Sequence, residues 1–278
     1  MIMRFFWRTI LIVSLFSPRI LSQDFLKAQF EYADSLYASG NYFDAITEFK
    51  RLMFFDTLGV FEYDALMKIG LCYKGGAKFD EATKSFAEAL AKTNKEHEKY
   101  NAAVQIIRTN ILARHTDAAI NSIVSLERNA DDNQKKLLEY WRAWALMFSE
   151  KWEKAKVIFD ALGERELSAI CKNVLEERYS PFIAKGLSYV IPGAGQIYTG
   201  EYLSGAMSFG WNFLWGYFTL KAVFANRVFD ALVIGNLLWF RFYRGNLQNA
   251  EKFVRKKNIA IYNKAYGYLK NKFRGLKP

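Results

Sequence analysis

Four alanines, Ala45, Ala82, Ala119 and Ala155, stand 37, 37 and 36 residues apart (45 to 82, 82 to 119, 119 to 155). Each follows Tyr42, Phe79, Thr116 or Trp152 by three residues and precedes Phe49, Phe86, Ile123 or Phe159 by four. Offsets of three and four place the members of each set on one face of a helix. A fixed period in this range predicts stacked helical hairpins, each burying its apolar face against its neighbours. Such arrays present an extended surface, so the pattern points to binding before it points to catalysis.

Two segments carry the pattern most fully: Tyr32 to Leu52 (YADSLYASGNYFDAITEFKRL) and Met67 to Leu90 (MKIGLCYKGGAKFDEATKSFAEAL). In each, a small residue (Ala33, Gly70) precedes a turn (Gly40-Asn41, Ala77-Lys78), then an aromatic, the alanine and the packing Phe. Gly40 fits a helix C-terminus, where a left-handed backbone is needed. These units resemble tetratricopeptide repeats, which are antiparallel helix pairs. A third unit has Ile107 at the small position and Thr116 at the aromatic one, and a fourth restores the pattern with Ala143, Trp152, Ala155 and Phe159. The resemblance implies a repeat domain over 24–178, closed by a helix at 164–178.

In the family, first helices line a concave groove. Carried over, that implies a partner-binding surface of Phe30, Asp34, Tyr37, Met67, Lys74, Arg108, Ile111, Tyr140, Trp144 and Met147. The competing reading is that each of these packs inside the array. Aromatics and Met at the groove would suit an apolar peptide or helix from a protein partner. One subclass clamps a peptide carboxylate with Lys and Asn; Phe30 and Asp34 stand where that clamp would begin, which argues against that mode here.

At Ser180-Pro181 the composition changes. Between Pro181 and Phe240 the only charges are Lys185, Glu201, Lys221, Arg227 and Asp230. Leu203 to Ala225 is long enough to cross a bilayer, and Val228 to Tyr243 is shorter, with Arg241 placed to snorkel. A two-helix transmembrane hairpin over 181–244 is expected, with a buried soluble pair as the alternative. An ion pair of Arg227 with Asp230 at its tip accounts for the one carboxylate of the second segment. Ahead of it stands Pro192-Gly193-Ala194-Gly195-Gln196-Ile197-Tyr198, a P-G-x-G-Q-x-Y run. Followed by two apolar helices, it resembles small bacterial membrane-hairpin families of poorly defined function. That resemblance singles out Pro192, Gly193, Gly195, Gln196 and Tyr198, with Asn212 and Asn236 in the apolar segments. Physically, Pro192 and the glycines interrupt any helix, and Asn212 and Asn236 could bond across the hairpin. A phosphate loop is rejected, because the Gly-Lys-Ser/Thr ending is missing.

Residues 1–22 resemble a secretory signal peptide: Arg4 and Arg8, an apolar core from Thr9 to Phe16, Pro18, and small Ser22. A cleaved leader is favoured over an uncleaved anchor and would export the repeats. Cys72 and Cys171 are expected as two buried thiols, since neither belongs to a CxxC or Cys/His cluster. The chain carries a net charge of +11, with eleven basic residues and one acidic residue in 241–278. Leu247, Ala250, Val254, Ile261, Ala265 and Tyr268 follow helical spacing, with Arg255, Lys256 and Lys257 among them. A basic amphipathic helix over 245–278 on an anionic lipid surface is the favoured reading over nucleic acid. The positive-inside rule would keep this tail cytoplasmic, whereas a leader and two spans return it outside. Three crossings, or insertion into an outer membrane, would also resolve that conflict.

Nothing catalytic assembles. His97 and His115 fall in charged, solvated stretches, and neither cofactor, metal nor small-molecule substrate is implied. The expected protein is all-α and not an enzyme. It would be a membrane-anchored scaffold with its repeats on the extracytoplasmic side, inner membrane favoured over outer. The alternative is a membrane component that assists transport or insertion of other proteins through its hairpin.

Overall fold

The computed structural model describes residues 24–278, and the leader-like residues 1–22 lie outside them. The described residues are helical throughout and contain no strand. They divide into two units: one ends at Glu164 and also takes in Lys277 and Pro278, and the other is Arg165–Leu276.

The first unit is four helix pairs. They are α1 (24–38) with α2 (Tyr42–Phe55), α3 (Glu62–Gly75) with α4 (Phe79–Lys92), α5 (Glu96–Leu112) with α6 (Thr116–Glu127), and α7 (Asp132–Phe148) with α8 (Trp152–Leu162). Consecutive helices pack, and α5 also packs on α7. The alanines that set the period and Phe49, Phe86, Ile123 and Phe159 are all fully buried. Small residues matter where helices meet: a Cβ on Gly70 would lie 2.5 Å from the Phe86 ring. The third pair exchanges bulk, with Ile107 at the small position and Ile123 where the other pairs have the packing Phe, both buried.

One turn joins the helices of every pair. Gly40, Ala77, Arg114 and Glu150 all have positive φ (79°, 57°, 60° and 64°). In each, the next residue's N–H donates five residues back: Asn41 to Leu36, Lys78 to Tyr73, His115 to Asn110, Lys151 to Leu146. This closure satisfies carbonyls that the helix end leaves free. Only the first of the four uses glycine, so three side chains sit in a conformation costing about 1–2 kcal/mol.

The second unit comprises α9 (Arg165–Glu177), α10 (Pro181–Val190), the short α11 (Ala194–Tyr198), α12 (Tyr202–Phe224), α13 (Val228–Val233), a π-helical stretch (Ile234–Trp239) and α14 (Phe240–Asn271). Ser180 caps α10, its hydroxyl accepting from the Ile183 N–H, with Pro181 at the first helical position. The helix breaks at Ile191–Gly193, where Pro192 interrupts it as expected. Here α9 packs on α14 and is grouped with this unit, whereas a helix at 164–178 was expected with the repeats.

Polar groups hold this unit together. Asn246 Oδ1 accepts from the Gly193 N–H (2.7 Å), Gln196 Nε2 (3.1 Å) and Ser208 Oγ (3.1 Å), while its Nδ2 donates to the Ser188 carbonyl (2.9 Å). Ser188 Oγ in turn accepts from the Gly195 N–H at 2.9 Å. Gly193 and Gly195 are glycines by necessity: a Cβ would lie 2.2 Å from the carbonyl oxygens of Gly205 and Ala184 respectively. Lower down, Asn258 brackets Tyr179, accepting from its N–H and donating to its carbonyl.

Three expectations change here. No described helix is both long and apolar enough to cross a membrane. In α12 the apolar run is diluted by Ser204, Ser208, Asn212, Thr219 and three glycines, and the second expected span is divided among α13, the π-helical stretch and the start of α14. Second, Asn212 and Asn236 do not pair across the hairpin. Asn212 Nδ2 donates to the Ser208 carbonyl of its own helix at 2.8 Å, and Asn236 is exposed. Third, much of the apolar face of the tail helix is already used. Asn246, Ala250, Val254, Asn258, Tyr262, Ala265 and Leu269 of α14 are buried, while Ile259 and Tyr268 stay exposed. The basic side of that helix stays outward, with Lys257 3.6 Å and Lys256 3.9 Å from Glu201. The pair of Arg227 with Asp230 forms at 3.1 Å, and both cysteine thiols are buried and free of disulfide.

Candidate partner-binding groove

Side chains separated by about one repeat length touch along one face of the array, marking where successive first helices lie side by side. Asp34 of α1 pairs with Lys68 of α3, and the Lys68 ammonium sits 5.2 Å from the Tyr37 ring centre. One helix further, Lys74 of α3 reaches Gln105 of α5 at 3.5 Å. Arg108 of α5 then lies 5.1 Å over the Trp141 ring of α7, a cation–π arrangement. Asp34, Tyr37, Lys68, Lys74, Gln105 and Arg108 are all half-buried, forming a polar track with aromatic walls.

Electrostatically the middle of this track is under tension. Burial and the neighbouring Arg108 guanidinium lower the Lys74 ammonium to about 7. Arg108 is pushed down as well, chiefly by desolvation. Two cations held close in a partly dry setting lack a full counter-charge, which is an arrangement able to accept carbonyl or carboxylate oxygen. Tyr140 is raised to about 12 by burial.

The residues expected at the groove divide. Asp34, Tyr37, Lys74 and Arg108 lie on the track. Phe30 and Met67 are half-buried, and Phe30 packs against Phe49 and Phe61 at 5.4 and 5.7 Å between ring centres. Ile111, Trp144 and Met147 are buried in the array core, and Tyr140 is only 8% exposed. Those four, Ile111 on α5 and the other three on α7, are packing residues, and a carried-over position does not report its own burial. Lys68, Gln105 and Trp141 were missed. Each lies beside or one turn from an expected residue, and helical spacing from Lys74 and Arg108 could have found them.

In the second unit, Gln196, Gly193, Gly195 and Tyr198 are assembled, but around their own fold. Gln196 is fully buried in the Asn246 network, and the Tyr198 hydroxyl accepts from the Ser180 N–H. Pro192 sits at the break between α10 and α11. Arg255, Lys256 and Lys257 lie on the outer side of α14.

The geometry of the second helix pair has a counterpart among known proteins. Residues 64–92 match the tetratricopeptide repeat family. The tetratricopeptide match covers most of α3 and all of α4, and the other three pairs share its turn and its buried Ala/Phe register. No curated protein and no solved structure matches the chain.

Proposed function

We propose that the tetratricopeptide array is a protein-binding module. It holds an extended segment of a partner against the track from Tyr37 to Trp141 and does no chemistry on it. The observation that carries this reading is the continuity of that track across four first helices, with two desolvated basic groups, Lys74 and Arg108, near its aromatic end. Tetratricopeptide repeats generally mediate contacts between proteins, in keeping with a protein partner.

In this reading the second unit fixes the module at a membrane. Support comes from its surface: Phe182, Val190, Phe224 and Phe229 are 86, 82, 84 and 78% exposed. Large apolar side chains this exposed are the kind that a partner or lipid covers. The leader-like residues 1–22 support a position on the extracytoplasmic side, with the inner membrane favoured. The whole would be a membrane-anchored scaffold.

A photo-crosslinking residue placed at Met67 or Lys68 tests the groove, with the exposed Glu88 of α4 as the outer-face control. The reading expects one discrete adduct in cells from the groove positions and none from the control. Equal labelling from both faces, or from neither, sinks it. Sidedness is tested separately by single cysteines at Lys27 and Asn271 in a chain lacking Cys72 and Cys171. Protection of both from an impermeant thiol reagent, once an outer membrane is permeabilised, would rule out export.

A further inference from the structure

The last two residues of the chain, Lys277 and Pro278, belong to the repeat unit and are half-buried there. Arg108 Nη2 donates to the Lys277 carbonyl at 2.7 Å. This is the guanidinium that lies over Trp141, on the track assigned above to a partner. The bond is made to main chain, the one feature every peptide shares, and a charged donor strengthens it. Lys74 stands on the adjoining helix, its ammonium depressed by Arg108 and burial. Arg108 thus holds a segment of polypeptide, and that segment belongs to the same chain.

We propose that the C-terminal dipeptide Lys277-Pro278 is a tethered occupant of the groove, seated on Arg108, and that a partner segment must displace it to bind. The proposal rests on the groove reading of the previous subsection and deepens it, since a site filled by main chain selects partners entering as extended peptide. A tether makes occupancy intramolecular, so a weak contact suffices to keep the site filled until a tighter ligand competes.

The test reads Arg108 directly. The full chain and a chain ending at Leu276 are treated with phenylglyoxal, and modification of Arg108 is followed by peptide mass mapping relative to the exposed Arg128. Removal of the dipeptide is expected to raise the Arg108:Arg128 ratio about tenfold, the protection one hydrogen bond to a charged donor provides. Adding a synthetic heptapeptide of residues 272–278 to the shortened chain should return the ratio toward that of the full chain. A ratio unchanged by the deletion overturns the proposal, and so does a raised ratio that the peptide leaves unaffected. The groove reading fails separately: crosslinks absent from Met67 and Lys68 would remove the partner while leaving a protected Arg108 explained. Crosslinks of equal yield with and without the dipeptide would remove the tether alone.

Discussion

The two units solve opposite problems with the same kind of helix. The array hides Trp141, Trp144, Trp152, Phe49, Phe86 and Phe159. The second unit hides Ser188, Gln196, Thr199, Asn212, Asn246 and Asn258, and turns Phe, Leu and Val outward along α10, α12 and α13. In the second unit, inward hydrogen bonds and close approaches at glycine take a larger part in the packing. The contrast separates what holds each unit together, and mutation can test it.

The largest effect is expected in the array. Phe86→Ala empties a fully buried ring site against Gly70 and should cost about 3–5 kcal/mol, measured as a denaturant midpoint. Hydrogen exchange should locate the loss in α3–α5 and leave α10–α14 protected. Asn246→Leu is the matching change in the second unit. It preserves bulk but strands the Gly193 N–H and the Ser188 carbonyl, at about 2–3 kcal/mol or more. Exchange should then quicken in α10–α12 while the array holds. If both variants loosen both units equally, the division of labour is wrong.

Lys74→Met sharpens the comparison from the other side, by removing a charge from the one part of the array that is polar and dry. It should stabilise the array by about 1–3 kcal/mol at pH 7. The fold holds the Lys74 ammonium at about 7 against an ordinary 10.5, so between those values only the unfolded chain keeps the proton. Wild-type stability therefore climbs with pH through that window, by linkage. The advantage of Lys74→Met is full below about pH 7 and fades toward pH 10.5. Paired melts at pH 6.5 and 9.5 check the sign.

The smallest effect concerns the turns. Glu150→Gly relieves a left-handed side-chain-bearing residue and should stabilise by about 1 kcal/mol, whereas Gly40→Ala should destabilise by a similar amount. At the apolar surface, replacing Phe224 and Phe229 together by Ser should leave the melting profile in place and reduce recovery with membranes in flotation. Unchanged recovery would leave that surface to a protein.

The array was largely legible because its information is local and repeated. The Ala/Phe register and Gly40 fix four hairpins from spacings of three, four and 37 residues. Of the carried-over groove positions, Asp34, Tyr37, Lys74 and Arg108 are half-buried, but that Trp144 is buried, and that Arg108 lies over the equally buried Trp141, depends on packing between helices. In the second unit the apolar segments were plain, and their partners were not. Asn246 reaches Gly193 across 53 residues, and no short pattern announces a pairing at that range. Of the tail's expected stripe, Ala250, Val254 and Ala265 are buried while Tyr268 is exposed, and the cover is α9 to α12, which periodicity alone could not name.

The recurrent left-handed turn carries a consequence for how such a chain changes over generations. Because each hairpin is closed by the same pair of backbone bonds, and three of the four closures dispense with glycine, the joint depends on main chain and hardly on sequence. A tandem copy of one 37-residue unit would bring its own closure with it. Loss of a unit would remove one without disturbing the rest. The length of the binding track is therefore a quantity that duplication and deletion can adjust in whole steps, while point mutation edits what each step recognises.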